Sequence, residues 1–235
     1  MVGRVAAGVL MLSVFVAIPA TAQELPWAFI LKGNLTTSSQ IYFNPNAPDP
    51  IDRSAFNDVT DFFGFGAELK YQIPETYLAI SISADRVRAR AEHPLLDPPG
   101  PYIPVADGYD ATSVELSGYF IIPASGTTFG IFMGGGLGVY FGHRFLSWGG
   151  AEAQLVDSKA GFGIHVLTGV SIRFARIFSL IGEMKFRDLQ FQSSNRFSAA
   201  SIDYQGTEVR LPGETLESNV HTDGITFQVG VAFNF

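Results

Sequence analysis

The segment DGITFQVGVAFNF, Asp223–Phe235, decides the fold. Ile225, Phe227, Val229, Val231, Phe233 and Phe235 fall on one side of it. Thr226, Gln228, Gly230, Ala232 and Asn234 fall on the other. That strict period of two predicts a strand with one apolar face and one small or polar face. At the edge of a sheet in water, such a strand would be an aggregation hazard. It fits a strand that closes a barrel in lipid, where one face meets hydrocarbon and every backbone polar group is paired.

Composition agrees with this reading. The chain has 235 residues, is 47% hydrophobic, and has a mean hydropathy of +0.21. Beyond the N-terminus it contains no apolar run of the ~20 residues that a membrane helix needs. High hydropathy without helical spans points to strands. A formal net charge of −7 gives no support to nucleic-acid binding. With no cysteine, disulfides, thiolate zinc sites, cysteine catalysis and lipidation of a cleaved lipobox are excluded.

The first residues read as a leader. Arg4 with the free amino group gives a positive start, Val5–Ile18 is apolar, and Pro19 breaks the run. Ala20-Thr21-Ala22 then supplies the small residues that a signal peptidase reads. Residues 1–22 are therefore expected to be a signal peptide, and residues 23–235 a single outer-membrane barrel domain. The expected location is the outer membrane of a Gram-negative envelope, reached through the periplasm after cleavage.

Working back from the last strand, seven more windows alternate in the same way: 27–43, 62–73, 77–90, 111–122, 128–142, 161–174 and 177–189. The connections between the eight windows run long, short, long, short, long, short, long. The long ones are Asn44–Asp61, the Pro-rich Glu92–Asp110, His143–Ser158 and Gln190–His221. All the short turns then lie on one side and all the long loops on the other. The fold class is all-β, an eight-stranded antiparallel up-and-down transmembrane β-barrel. A soluble lipocalin-like barrel or sandwich would need a solid apolar second layer. The Gly-rich polar faces here do not supply one.

The polar faces should point inward. An eight-stranded barrel is only wide enough for side chains to fill it. Glu68, Asp85, Glu115 and Glu183 are expected to meet Lys70, Arg173, Lys185 and Arg187 in a polar network inside the lumen. The glycines of the fifth window, Gly130, Gly134, Gly136, Gly138 and Gly142, would make room for long side chains from across the lumen. Near Asp85 the third window changes phase, at Arg86-Val87-Arg88-Ala89-Arg90. A bulge or an exit from the membrane is expected there. Trp27, Tyr71, Tyr77, Phe174, Phe178 and Phe233 near strand ends would form the girdle on the short-turn side.

The hairpin GFGIHVLTGVSIRFARIFSLIGEMKFRD at Gly161–Asp188 and the final VGVAFNF resemble outer-membrane β-barrel domains of the OmpA-like and OmpW-like type. The resemblance implies that Val229, Val231, Phe233 and Phe235 form an assembly signal read by the barrel-assembly machinery. It also implies contact with outer-membrane lipid and lipopolysaccharide. No peptidoglycan-binding domain is expected after Phe235.

The residues give little support to chemistry. Ser218, His221 and Asp223 stand close in sequence, but polar residues are common in loops and no catalytic role is assigned. Protease barrels of related architecture need ten strands and paired Asp and Asp/His sets that are not found here. Gly134-Gly135-Gly136-Leu137-Gly138 lacks the Lys and the helix of a phosphate loop. His165 lacks neighbours at metal-ligand spacing and reads as a hydrogen-bonded lumen residue. No enzyme activity, cofactor, metal or nucleic-acid partner is expected, and the chain is expected to be a monomer. Two functions fit: a structural or surface-interaction barrel, or a narrow porin-like channel for small or hydrophobic solutes. The second follows from the OmpW-like resemblance.

Overall fold

The computed structural model describes residues 25–95, 103–123, 128–222 and 224–235. The expected leader lies outside the described residues. The strands are β1 (Trp27–Tyr42), β2 (Phe56–Gln72), β3 (Leu78–Leu95), β4 (Ile103–Ile121), β5 (Phe129–Trp148), β6 (Ala151–Lys159), β7 (Gly161–Ala175), β8 (Phe178–Phe197), β9 (Ser201–Tyr204), β10 (Thr207–Arg210), β11 (Leu216–Thr222) and β12 (Ile225–Asn234).

β6 and β7 are one barrel strand interrupted at Ala160, and both pair with β8. β11 and β12 are likewise one strand, broken next to Gly224, and both pair with β1 and β8. With those merged, eight antiparallel strands follow each other around a ring, and β1 closes it against both β12 and β2. The closing ladder runs from Ala28↔Asn234 to Thr36↔Thr226. Beyond its end, Trp27 N–H donates to the Phe235 carbonyl at 3.2 Å and Phe235 N–H to the Trp27 carbonyl at 2.9 Å. Closure leaves the terminal segment no free edge, which removes the hazard its sequence carries.

The expected long loops prove to be largely strand. β3 continues to Leu95 and β4 begins at Ile103, so most of 92–110 is a ladder that pairs Pro94 with Pro104. β2 begins at Phe56, β5 reaches Trp148, and β8 reaches Phe197. The positive-φ pair Gly149 (55°) and Gly150 (94°) makes the tight turn into β6. β9 and β10 form a small separate hairpin in the last connection, and α1 (Pro50–Arg53) is a single turn capped by Asp49 in the first. The alternation fades in these regions because the outward face has left hydrocarbon and carries polar residues. The backbone ladder itself does not need apolar side chains. Pro94 is tolerated because β2 stops pairing with β3 at Gly64↔Val87, which leaves β3 an edge there.

The polarity of the wall inverts along the barrel axis. In the lower part Phe65, Ile82, Leu116, Leu137, Ile164 and Val229 are exposed on the outside, while Lys32, Glu68, Glu115 and Lys185 are buried inside. Above Asp85 the order reverses: Arg86 and Arg90 stand outside while Val87 and Ala89 turn in. The β3 registers with β2 and β4 run unbroken through this point. Asp85 therefore marks an exit from the membrane and carries no bulge. The phase slip lies elsewhere, at Asp61 (φ 54°) on β2, where Val59 and Phe62 both face inward.

Candidate functional site

The interior is stacked in layers. At the short-turn end Ile30, Ala79, Tyr119, Phe132, Leu167, Ile181 and Ala232 form an apolar layer. Above it lies the charged layer. A second apolar layer follows, of Ile41, Val59, Phe62, Ala89, Tyr109, Ala111, Phe191 and Val220. A third, with Val105, Leu146, Ala153, Phe197 and Leu211, fills the far end. Ile41 and Val220 are 0% exposed, as is Lys185 below them, so no solvent-filled path reaches these side chains.

The charged layer has two centres. Glu115 on β4 accepts from Lys185 Nζ at 2.8 Å, Arg187 Nε at 2.9 Å and Tyr140 Oη at 2.8 Å. Arg187 also donates to Asp85 at 2.8 Å, and Asn34 donates to the other oxygen of Asp85 at 3.1 Å. Glu68 on β2 accepts from Lys32 Nζ at 2.7 Å and Tyr119 Oη at 2.8 Å. Lys70 approaches it at 3.4 Å. Each carboxylate is thus held by several donors from different strands, which offsets its loss of water.

Of the eight residues expected in the lumen network, Asp85, Glu115, Lys185 and Arg187 meet at one centre, and Glu68 and Lys70 at the other. Glu183 is buried 3.6 Å from Lys185 Nζ, yet neither of its oxygens has a hydrogen-bond partner among the described residues. Arg173 does not join. It stands exposed at the short-turn mouth and makes no ion pair with a described residue. It lies three positions before the turn at Arg176, where the lumen has already opened to solvent. His165 donates to or accepts from Ser117 Oγ at 2.9 Å through Nε2, and its Nδ1 lies 3.9 Å from Glu115.

Lys32, Asn34 and Gln228 were not singled out by the sequence, although they stand on the polar faces of β1 and β12. Lys32 reaches Gln228 at 3.3 Å, and Gln228 donates to Asn34 at 2.9 Å. A third polar group was hidden in a stretch read as loops. Arg144 donates twice to Asp107, each bond 2.7 Å, and once to Ser218 at 2.7 Å. Only pairing beyond the membrane brings these three together.

The glycines of β5 act in two ways. A Cβ at Gly138 would lie 2.9 Å from Glu115 Cγ, and one at Gly142 2.6 Å from the Phe191 ring. These two make room for lumen side chains. A Cβ at Gly134 or Gly136 would instead strike the backbone carbonyls of Gly118 or Leu116 on β4. Those two permit close strand approach.

Ser218 is buried inward on β11, while His221 stands at the opposite phase with its ring 4.7 Å from that of Tyr42. Asp223 lies outside the described residues. Ser218 and His221 therefore do not face each other. Around the outer wall Trp27 packs on Tyr71 at 4.6 Å, and Phe178 on Phe174 at 6.0 Å and Phe233 at 5.2 Å. These rings form an aromatic belt at the short-turn end.

No protein-family model matches the chain, and no curated protein matches it. Solved structures do. The outer membrane protein OprG from Pseudomonas aeruginosa superposes with a TM-score of 0.52 at 13% identity, over 90% of this chain and 97% of that one. Neisserial surface protein A is similar at a TM-score of 0.48 and 13% identity, over 88% and 99% of the two chains. Ail of Yersinia pestis is similar at 0.45 and 11%, over 89% and 99%. At these identities the likeness speaks for the fold, and of the three only the first is near enough to carry it. Ring closure, an apolar outer band, a charged lumen and that superposition lead to one conclusion: the chain has the fold of the eight-stranded outer-membrane β-barrels.

Proposed function

We propose that this chain is a closed, non-catalytic barrel of the outer membrane that acts through its outer rim as a structural and surface-interaction protein. The observation that carries the reading is the stacked lumen. Three apolar layers and a paired charged layer fill it, so the barrel interior is spent on stability. A narrow porin-like channel for small or hydrophobic solutes loses support for the same reason. Meanwhile the walls rise well past the apolar band, to the turns near Trp148 and Phe197. They present a rigid polar surface where a minimal anchor would have stopped.

The rim chemistry suits a phosphorylated glycolipid such as lipopolysaccharide. Arg86, Arg88 and Arg90 succeed Ile80, Ile82 and Ala84 on the outer face of β3, about 7 Å apart along the strand. Arg86 is held by Asp110 through bonds of 3.1 and 2.8 Å, Arg88 lies over the Phe145 ring at 5.6 Å, and Arg90 meets Glu92 at 3.1 Å. Guanidinium groups so placed stand at headgroup height. Export through a cleaved leader, assembly through Val229, Val231, Phe233 and Phe235, and a monomeric state complete the reading.

Single-channel recording on refolded protein in planar bilayers tests it. The expected result is silence at neutral pH. Discrete, reproducible ion steps would replace this reading with the channel.

A further inference from the structure

The short-turn mouth ends in a bowl whose contents the closed-barrel reading does not explain. Tyr119, Phe132 and Ile181 of the lowest apolar layer form its floor. Ser171, Ser179 and Asn234 provide polar groups around the edge. The bowl has a cavity volume of about 110 Å³ and opens to solvent on one side, so it suits only a compact ligand.

Its charge is one-sided. Two cations line it, Lys70 and Arg173, and no carboxylate does among the described residues. The Lys70 ammonium lies 3.8 Å from the centre of the Tyr119 ring and 4.9 Å from that of Phe132. Glu68, the one carboxylate it meets among the described residues, lies 3.4 Å away and is already held more closely by Lys32 and Tyr119. Arg173, on the inward phase of β7 opposite Ser179, has no ion pair among the described residues. A guanidinium at the edge of an apolar floor offers a fork of parallel donors to a carboxylate. The floor beneath offers aromatic and aliphatic surface to whatever carries that carboxylate.

We infer that this bowl binds a small amphiphilic carboxylate, with its apolar body on the Tyr119–Phe132 floor and its charge between Arg173 and Lys70. The charge selects an anion, and the floor selects one with a compact apolar body. Binding is read separately from conductance, so the closed-lumen reading and this site can fail independently.

The test uses 4-fluorobenzoate with the protein in lipid nanodiscs, followed by ¹⁹F relaxation and referenced to empty nanodiscs. Saturable binding is expected, weakened at least five-fold by Arg173→Gln. Because Arg173 is exposed and pairs with no described carboxylate, the variant keeps the barrel. Arg176→Gln, in the adjacent turn and outside the bowl, carries the same charge change and should leave binding intact. Neutral 4-fluorobenzyl alcohol should bind at least ten-fold more weakly. No saturation above empty nanodiscs, equal loss in both arginine variants, or equal binding of the alcohol would each overturn the assignment.

Discussion

Arg187 on β8 and Glu115 on β4 meet at 2.9 Å across the lumen, although β5 and β7 separate their strands in the wall. The bond crosses the barrel interior, and both side chains are at most 4% exposed. Removing one partner strands the other. Glu115→Gln is expected to lower unfolding stability by about 3–5 kcal/mol. Glu183→Gln should lower it by less, because Glu183 has no hydrogen bond to lose. Urea unfolding of the refolded barrel in detergent measures both. Equal losses would remove the distinction between the two carboxylates.

Leu137 is 59% exposed on the outer face of β5, within the apolar band. Leu137→Arg should cost about 2–4 kcal/mol on insertion into vesicles. Ile51→Arg should be neutral, since Ile51 is 78% exposed on α1, outside the barrel wall. Folding yield into lipid vesicles reads the contrast.

Gly136 and Gly33 look alike in sequence and differ in place. A Cβ at Gly136 would strike the Leu116 carbonyl, whereas one at Gly33 meets only the Val229 oxygen, at 4.0 Å. Gly136→Ala should destabilise by about 1–3 kcal/mol through a forced backbone shift. Gly33→Ala should be tolerated. Thermal unfolding of the two variants side by side decides.

Asp110 and Arg86 form a pair on the outer rim, above the apolar band. The guanidinium hydrogen bonds hold the Asp110 carboxyl below its ordinary value of 3.8. Such a group adds stability above the unfolded value and loses it as pH falls through the folded one. The pair is screened because Arg86 is exposed, so the contribution is small. A carboxyl titration by NMR should place Asp110 below 3.8 in the native chain and nearer 3.8 in Arg86→Gln. An unchanged midpoint would show that the bidentate contact does not form in solution.

Phe235 is 57% exposed, and its ring adds little to the closed barrel beside the backbone bonds to Trp27. Phe235→Ala should therefore refold in detergent like the parent chain. In cells its assembly should fall, if the segment is read as a signal. Normal assembly of the variant would remove Phe235 from that role.

The sequence by itself determined the barrel. Alternation in Asp223–Phe235 and seven other windows is a local property, because a strand between lipid and lumen must repeat it at every second residue. It gave the direction of each face, and so the inward placement of Glu68, Asp85, Glu115, Lys185 and Arg187. Partners were another matter. Arg187 meets Glu115 rather than Glu183 because strand register sets height along the axis, and register is fixed by closure between β1 and β12. Arg173 shares the inward phase but stands at the mouth, where height again decides. The upper walls escaped the sequence because outside hydrocarbon neither face must be apolar. There Arg144, Asp107 and Ser218, far apart in the chain, are joined only by the tertiary structure.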